Sequence, residues 1–253
     1  MKAEYKRVPA LDKCFAILDL LAREERPLGV SEIAKALHIN KSTVFNMVYT
    51  LTDLGVLENG NKKFRFGARL FVLGKAAGEG SGLINTVHPY LEQISKRTNL
   101  TAFLGIRSGM KAIILDKAEA ALDLKISSDV GMRLPLLAGA GGKALLSQLS
   151  DQEIDDILSK NNLKKFTRHT CIDKKAYRGS IMKVREEGIA FDLEEYLEGI
   201  IAVAVPLNAP AQGLQSAIWA VGMRRQVSEK ALSRFSELLK EMARQINVRF
   251  SMS

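Results

Sequence analysis

Cysteine and histidine are scarce in this chain of 253 residues, which holds two cysteines and three histidines. Cys14 and Cys171 lie far apart, so they make no disulfide framework, and a reducing compartment is expected. The histidines, His38, His88 and His169, are also dispersed and lack the short spacings that a zinc site needs. The sequence therefore predicts neither a metal site nor a cofactor.

Long hydrophobic runs are absent as well. A helix that crosses a bilayer needs about 20 consecutive apolar residues. The longest apolar run, Gly199 to Leu207, is far shorter and predicts a buried strand. Residues 1–10 contain no apolar stretch of the kind that a signal peptide needs. We therefore expect a cytoplasmic protein without a membrane-spanning helix.

The chain carries a moderate excess of positive charge on an ordinary globular composition, with 47% hydrophobic and 26% charged residues. Lys and Arg number 37 against 28 Asp and Glu, which gives a net charge of +9. A positive excess favours an acidic partner such as nucleic acid. The excess is spread over both halves of the chain, so charge does not indicate which half would bind nucleic acid.

Three helices are predicted in the first part of the chain. Apolar residues at three-and-four spacing, including Leu11 and Phe15, indicate a helix over residues 11–23. Ser31 stands at the position of an N-cap and predicts the start of a short second helix. A third helix is expected over residues 41–54 after a tight connection. This arrangement is typical of a helix-turn-helix, whose third helix enters the major groove.

A β-hairpin is predicted directly after the third helix. Val56-Leu57-Glu58 and Phe64-Arg65-Phe66 flank Asn59-Gly60, a dipeptide typical of hairpin turns. A hairpin at this place forms the wing of a winged helix-turn-helix, so we expect the first part of the chain to bind duplex DNA. The alternative is a three-helix bundle with an ordinary solvated face.

The residues expected to contact DNA are polar, basic or aromatic side chains on the helix-turn-helix and the hairpin. Serine, threonine and asparagine can bond base edges or phosphates, and asparagine suits adenine. Lysine and arginine suit phosphates, and an aromatic ring can contact a thymine methyl group. The predicted contacts are Ser31, Lys41, Ser42, Thr43, Phe45, Asn46, Tyr49, Lys62, Lys63 and Arg65.

The larger C-terminal part mixes helices and strands. Asp173 is the expected N-cap of one helix and Gly188 its expected stop. The order of helix, three strands, helices, three strands and helix favours an α+β domain with a mostly antiparallel sheet. The predicted helices span 83–97, 141–149, 151–159, 173–187 and 229–249, and the predicted strands span 101–107, 111–117, 122–128, 189–192, 200–206 and 214–221.

We find no catalytic motif in the sequence and predict that the protein is not an enzyme. The segment from Gly139 to Ala144 resembles a nucleotide-binding loop, but Leu137 stands where a Walker A motif needs glycine. Glu194 and Glu195 are adjacent on a predicted strand, so they would point to opposite faces. Two alternatives stay open. One is a small-molecule enzyme with an accessory helical domain, and the other is a sensor whose helix-turn-helix binds a protein partner.

Several sequence blocks resemble the IclR family of bacterial transcription regulators along nearly the whole chain. No single block is decisive, but their order and spacing together are specific. The blocks are Val30-Ser31-Glu32-Ile33-Ala34, Lys41-Ser42-Thr43-Val44-Phe45, Gly141-Gly142-Lys143-Ala144-Leu145-Leu146, Val184-Arg185-Glu186-Glu187-Gly188-Ile189-Ala190, Glu194-Glu195, Gly199 and Ala204-Val205-Pro206.

This resemblance implies three parts. They are a winged helix-turn-helix over residues 1–66, a linker helix with a glycine-rich hinge over residues 67–82, and a GAF-like effector-binding domain over residues 83–253. It also implies a homodimer, often paired into a tetramer, that represses or activates transcription from a pseudo-palindromic operator. Members commonly respond to small carboxylates or aromatic acids. The chain departs from the pattern at Asn46, where many members carry arginine.

The effector pocket of the family can be placed on this sequence. The resemblance implies that the backbone amides of Ala140 and Gly141 hold an anionic oxygen at the start of a helix, where free N–H groups favour negative charge. Asp192 matches the pocket acid that precedes the paired glutamates.

Three further pocket positions depart from the family pattern. Ala202 stands where many members have cysteine, and Trp219 and Val221 stand where small hydroxyl residues line some pockets. These changes remove polar side chains and add an indole, so an apolar or aromatic acid is expected rather than a glyoxylate- or pyruvate-like ligand. The alternative is that the three residues are plain strand core.

Overall fold

In a computed structural model of the chain, the described residues are 6–24, 26–79, 82–119, 126, 128–208 and 214–251. The chain divides into two compact units, Met1–Gly80 and Ser81–Ser253. Each unit has its own buried apolar core, as an independently folding domain requires.

The first unit is built from short helices and a small sheet. Its strands are antiparallel in the order β1-β3-β2, and its core includes the fully buried Ile17, Ile33, Val44 and Phe64. The predicted winged helix-turn-helix is confirmed. The elements are α1 (Pro9–Glu24), β1 (Leu28–Gly29), α2 (Val30–Leu37), α3 (Lys41–Asp53), β2 (Leu57–Gly60), β3 (Lys63–Phe66) and α4 (Ala68–Glu79).

The hairpin turns two residues later than predicted. Gly60 pairs with Lys63, so the turn residues are Asn61 and Lys62, and the prediction of Asn59-Gly60 as the turn is wrong. Asn61 and Lys62 have positive φ angles of 54° and 58°, as a type I′ turn requires. A shift of two residues keeps the same side chains on the inner face, so the apolar alternation could not distinguish the two registers.

The second helix begins before Ser31. Gly29 is its N-cap, and the Gly29 N–H donates to Glu32 Oε2 at 2.9 Å. This is the backbone half of a capping box. Ser31 lies within the first turn with an exposed side chain, so its predicted role as the N-cap is wrong.

Helix α1 packs on the core through only part of the predicted stripe. Ile17, Leu20 and Leu21 are buried, whereas Leu11 is 60% exposed and Phe15 is 62% exposed. Apolar residues surround much of this helix, so spacing alone did not decide which of them meet the core. The first unit therefore leaves apolar side chains of α1 at its surface.

The second unit combines helices with an antiparallel sheet in the order β6-β5-β4-β9-β8-β7. The predicted α+β class is confirmed. Its elements are α5 (Leu83–Thr98), β4 (Thr101–Ser108), β5 (Lys111–Ala118), β6 (Arg133–Pro135), α6 (Gly139–Leu146), α7 (Asp151–Lys160), α8 (Lys174–Glu187), β7 (Ala190–Leu193), β8 (Ile200–Leu207), β9 (Ser216–Met223), a 3₁₀ turn (Arg224–Gln226) and α9 (Glu229–Ser251).

Alternate residues of the central strands serve two separate apolar layers. Leu104 and Ile218 belong to the layer that contains α5 and α9. Their neighbours Phe103 and Trp219 point to the opposite face and belong to the layer that contains α6, α7 and α8. The second layer holds the cavity described below.

The strands before α6 differ from the prediction. Strand β6 pairs with β5 and was not predicted. Of the predicted strand 122–128, residues 122–125 and 127 lie outside the described part of the chain, and residues 126 and 128 belong to no strand. Around α8 the prediction is confirmed, because Asp173 accepts a hydrogen bond from Ala176 N at 2.7 Å and Gly188 ends the helix with a φ of 71°.

Candidate functional sites

The exposed side of α3 carries polar residues that were predicted to contact DNA. Lys41, Ser42 and Asn46 are exposed, and Thr43 is half-buried, while Val44 faces the core. The first turns of α3 therefore carry an amine, hydroxyl groups and an amide on their outer side. These are groups that bond phosphates and base edges.

Phe45 and Tyr49 form an aromatic cluster between α3 and the hairpin. Their ring centroids lie 4.4 Å apart, and the Tyr49 ring meets Phe64 edge-on at 5.4 Å. Phe64 is fully buried, whereas Phe45 is 49% exposed. Packing against the hairpin therefore accounts for the position of Tyr49, and Phe45 keeps much of its ring available for another contact.

The three basic residues predicted on the wing differ in their partners. Arg65 donates two hydrogen bonds to Glu58 Oε2, at 2.9 Å and 3.1 Å. Lys62 lies in the turn, and both Lys62 and Lys63 are exposed. Arg65 is therefore held by a carboxylate of the neighbouring strand.

A carboxylate stands close to the wing at the start of α2. The pKa of Glu32 is lowered, first by the hydrogen bond from the Gly29 amide, then by the bond from Arg26, with a smaller contribution from the charge of Lys63. Arg26 Nη1 lies 2.8 Å from Glu32 Oε1. Glu32 therefore offsets part of the positive charge at this edge of the unit.

A cavity of about 90 Å³ lies between the sheet of the second unit and the start of α6. Most of the residues that line the cavity are apolar, and they include Phe103, Ile114 and Leu197. The structure brings together in this lining all six residues that were predicted for the effector pocket, which are Ala140, Gly141, Asp192, Ala202, Trp219 and Val221.

Helix α6 begins at Gly139, two residues before its predicted start. Its N-cap is Ala138, whose side chain makes no capping hydrogen bond. The first N–H groups of an α-helix have no partner within the helix. Ala140 and Gly141 both line the cavity, so their N–H groups are candidate hydrogen-bond donors at this site, where the helix dipole favours negative charge.

Asp192 places a buried carboxyl group at the same cavity and is 5% exposed. Burial raises its pKa to about 6, although the backbone amides of Glu195 and Tyr196 act in the opposite direction. These amides donate to Asp192 Oδ1 at 2.6 Å and 3.4 Å. The other oxygen, Oδ2, would lie 3.2 Å from a Cβ atom at Gly139, so it faces the start of α6.

A buried ion pair lies behind Asp192. Lys143 Nζ donates to Glu195 Oε1 at 2.6 Å and to the carbonyl oxygen of Phe191 at 3.0 Å, and the Lys143 side chain is 7% exposed. Sequence reasoning missed this pair because its members are far apart along the chain. The one signal that could have found it is a lysine within an otherwise apolar helix.

The segment after β7 closes one side of the cavity with Tyr196. The hydroxyl groups of Thr167 and Thr170 donate to the carbonyl oxygens of Glu194 and Glu195, each at 2.7 Å. Sequence reasoning did not find these residues either. The segment is therefore tied both to the loop before α8 and, through its amides, to Asp192.

Metal clusters and membrane spans are not found in the described part of the chain. None of the described residues form a group of three or more His, Cys, Asp or Glu side chains that could hold a metal ion. Among the described helices, none is long and apolar enough to cross a membrane.

Two family models match the chain. Residues 10–60 match the model described as IclR helix-turn-helix domain. Residues 76–248 match the model described as Bacterial transcriptional regulator IclR C-terminal. The two matches follow the same order as the two units of the structure.

Relatives match along nearly the full length. The HTH-type transcriptional regulator BhcR of Paracoccus denitrificans (strain Pd 1222) is 31% identical over 242 residues, which cover 95% of this chain and 86% of the relative. A crystal structure of an IclR transcriptional regulator from Alicyclobacillus acidocaldarius has a TM-score of 0.80 at 25% identity and covers 96% of this chain and 99% of that one.

One solved structure of the same fold contains a ligand. An IclR homologue from Microbacterium hydrocarbonoxydans, complexed with 4-hydroxybenzoate, has a TM-score of 0.81 and covers 96% of this chain and 100% of that one. At 22% identity, this likeness shows the fold alone.

Proposed function

The chain belongs to the IclR family of bacterial transcriptional regulators, and from that premise we propose which residues read DNA and what the cavity senses. It is a DNA-binding transcriptional regulator and not an enzyme, since its relatives are named as transcriptional regulators or repressors. We propose that residues 1–66 bind DNA, that residues 83–253 bind the effector, and that residues 67–82 are the linker between these two domains. Action on bacterial DNA would place the protein in the cytoplasm.

The exposed face of α3 carries the proposal for DNA recognition. Lys41 and Ser42 at the start of the helix would bond phosphates, and Asn46, one turn later, would bond a base edge. On the wing, Lys62 and Lys63 would bind phosphates of the adjacent backbone. Ser31, Thr43, Phe45, Tyr49 and Arg65 complete the proposed surface.

A homodimer is proposed because the first unit exposes large apolar side chains. Leu11 and Phe15 of α1, and Phe71 and Val72 of α4, are exposed by 60%, 62%, 76% and 61%. Exposed apolar patches of this kind mark interaction surfaces, and a second copy of the chain is the proposed occupant. Two such dimers could pair into a tetramer. The recognition helices of a dimer would then reach half-sites about 34 Å apart, or a multiple of that distance.

Binding to the promoter region of the protein's own gene tests the DNA proposal. Asn46→Ala is expected to cost about 1–3 kcal/mol at the operator and to relax preference at one base pair. Lys63→Ala is expected to weaken all sequences alike and to reduce the salt dependence by about one phosphate contact. Both effects are measurable by fluorescence anisotropy over a series of salt concentrations.

The control for these variants is Lys175→Ala, which removes an exposed lysine from the second unit. It should leave both affinity and salt dependence unchanged. Equal losses on operator and random DNA for Asn46→Ala would contradict the role given to Asn46. A single half-site bound as tightly as the full operator would contradict the dimer.

The cavity beside α6 carries the proposal for effector binding. A carboxylate of the effector would accept hydrogen bonds from the N–H groups of Ala140 and Gly141. The protonated carboxyl group of Asp192 would donate another, and the apolar part would contact Trp219 and Val221. An apolar or aromatic acid is the proposed class. The 4-hydroxybenzoate bound by a homologue of the same fold supports an acid in general.

Intrinsic fluorescence offers a direct test, because Trp219 is the single tryptophan of the chain and lines the cavity. Titration with aliphatic and aromatic carboxylic acids is expected to change its emission saturably for at least one acid. The same acid should change operator affinity by about 5–150-fold, the usual range of allosteric coupling. The matched control is the neutral amide of each acid, which lacks the anionic oxygens and should not bind. Amides that bind as well as acids would contradict an anion site at α6.

A further inference from the structure

Trp219 is an enclosed part of the cavity wall. It is 4% exposed and stands on β9 opposite Phe103 of β4 and Ala204 of β8. The ring centroids of Trp219 and Phe103 lie 6.1 Å apart, with an interplanar angle of 28°. The indole is therefore held by packing on the sheet, and it does not lie at an open surface.

Two glycines make room for the indole. On β4, a Cβ atom at Gly105 would overlap Cη2 of the Trp219 ring. On α6, a Cβ atom at Gly141 would lie 3.2 Å from Cδ2 and Cε3 of the same ring. A Cβ atom at Gly105 would displace the indole, and one at Gly141 would press it aside by a few tenths of an ångström, so the position of the ring depends chiefly on the missing Cβ atom of Gly105. In a close-packed interior, moving it aside would require its neighbours to move as well.

The space left beside the indole is too small for an aromatic ligand. The cavity measures about 90 Å³, whereas a cavity of about 150 Å³ is known to hold benzene. By that ratio the interior holds fewer atoms than the six-membered ring of an aromatic acid. A carboxylate whose oxygens bond the amides of Ala140 and Gly141 at the start of α6 could add a short alkyl group within this volume.

We infer that Trp219 sets the upper size of the effector, so that the site takes a short aliphatic carboxylate and excludes an aromatic one. This inference rests on the proposed effector site and narrows its ligand class. A smaller side chain at position 219 would vacate the space of the indole, which itself includes a six-membered ring. The structure thus assigns the choice between alkyl and aryl acids to one side chain.

Calorimetric titration of the full-length protein with propanoate and with 4-hydroxybenzoate tests the inference. The wild type is expected to bind propanoate at least about tenfold more tightly than 4-hydroxybenzoate. Trp219→Ala is expected to reverse this preference by a similar factor. Trp219→Leu keeps more apolar volume and folds more readily, and it should shift the preference in the same direction by a smaller factor.

The matched control is Ile218→Ala. Ile218 is the preceding residue of β9, is fully buried, and faces the layer of α5 and α9 rather than the cavity. The Ile218→Ala variant loses a buried side chain without enlarging the cavity, so it should keep the wild-type preference for propanoate over 4-hydroxybenzoate.

Two results would overturn the size limit while leaving the effector site intact. The first is a wild-type protein that binds 4-hydroxybenzoate as tightly as propanoate. The second is a wild-type protein that binds propanoate, while neither Trp219 variant has a higher affinity for 4-hydroxybenzoate than the wild type. If wild type and both variants are folded by circular dichroism and bind neither acid, the proposed effector site and the size limit both fail.

Discussion

Replacement of Asp192 by asparagine is expected to raise the free energy of unfolding of the second unit by about 3 kcal/mol above pH 7. The Asp192 carboxyl is 5% exposed, and its ionised form is destabilised mainly by burial. Asparagine keeps a side-chain oxygen that can accept the amides of Glu195 and Tyr196, but it has no charge to desolvate. The variant should therefore be more stable than the wild type at neutral pH.

The pH dependence of this effect has a definite sign. Burial raises the pKa of Asp192 from 3.8 to about 6, so between these values the folded protein binds more protons than the unfolded chain. Stability contributed by this group is then highest below the unfolded pKa, falls as pH rises through the window, and stays low above about 6. The asparagine variant should lack this dependence, and its advantage should shrink toward acidic pH.

Urea denaturation at about pH 5 and about pH 8, followed by the fluorescence of Trp219, measures this difference in the second unit. Asp151→Asn is a control of opposite sign, because a hydrogen bond from Arg185 lowers the pKa of Asp151. Losing that charge should reduce stability above its pKa. An Asp192→Asn variant that is no more stable than the wild type at the higher pH would contradict the prediction.

The same carboxyl group links pH to effector binding. A bound carboxylate beside Asp192 disfavours the ionised form of that residue. Affinity for an acid effector should therefore decline as pH rises through about 6, and the asparagine variant should show a weaker decline. Loss of all affinity in the variant would instead indicate that the effector needs the charge of Asp192.

The pattern of apolar residues predicted the hairpin but not its turn. Asn59-Gly60 suits a type I′ turn better than Asn61-Lys62, because the second central residue needs a positive φ angle, and the two registers present the same side chains to the core. The observed register pairs Leu57 with Phe66 and Asn59 with Phe64. The choice between registers depends on tertiary contacts, which local propensity does not contain.

The effector cavity shows a similar division between what sequence and structure contribute. The family resemblance indicated six residues that the structure brings to its lining, which are Ala140, Gly141, Asp192, Ala202, Trp219 and Val221. It did not indicate how much space remains, since that depends on Gly105, a residue of another strand that lets the Trp219 ring approach. The volume of a cavity depends on small distances between the atoms that line it, and a single sequence does not specify those distances.

Lys143→Met is expected to lower the free energy of unfolding of the second unit by about 3–5 kcal/mol, the usual cost of removing one member of a buried ion pair. Glu195 would lose the donor at 2.6 Å and remain partly buried, with its side chain 21% exposed. Its charge would also act on Asp192 without the opposing charge of Lys143, which should raise the pKa of Asp192 further.

Urea denaturation of the variants in a double-mutant cycle separates the interaction energy between Lys143 and Glu195 from the cost of lost packing. Glu195→Gln removes the stranded charge, so adding it to Lys143→Met should recover part of the lost stability, with a coupling energy of about 1–3 kcal/mol. Lys160→Met is the matched control, because Lys160 pairs with Asp156 at 3.1 Å on the surface and is 61% exposed. Exposed pairs contribute about 0–1 kcal/mol, so this variant should change little.

A purely additive cycle would mean that the pair does not stabilise the fold. The expected coupling would have a functional consequence, because α6 carries both Lys143 and the amides of Ala140 and Gly141 that are proposed to hold the effector. The backbone N–H of Glu195 also donates a hydrogen bond to the carboxyl group of Asp192. A variant that releases the pair should therefore also weaken acid binding, although neither Lys143 nor Glu195 lines the cavity.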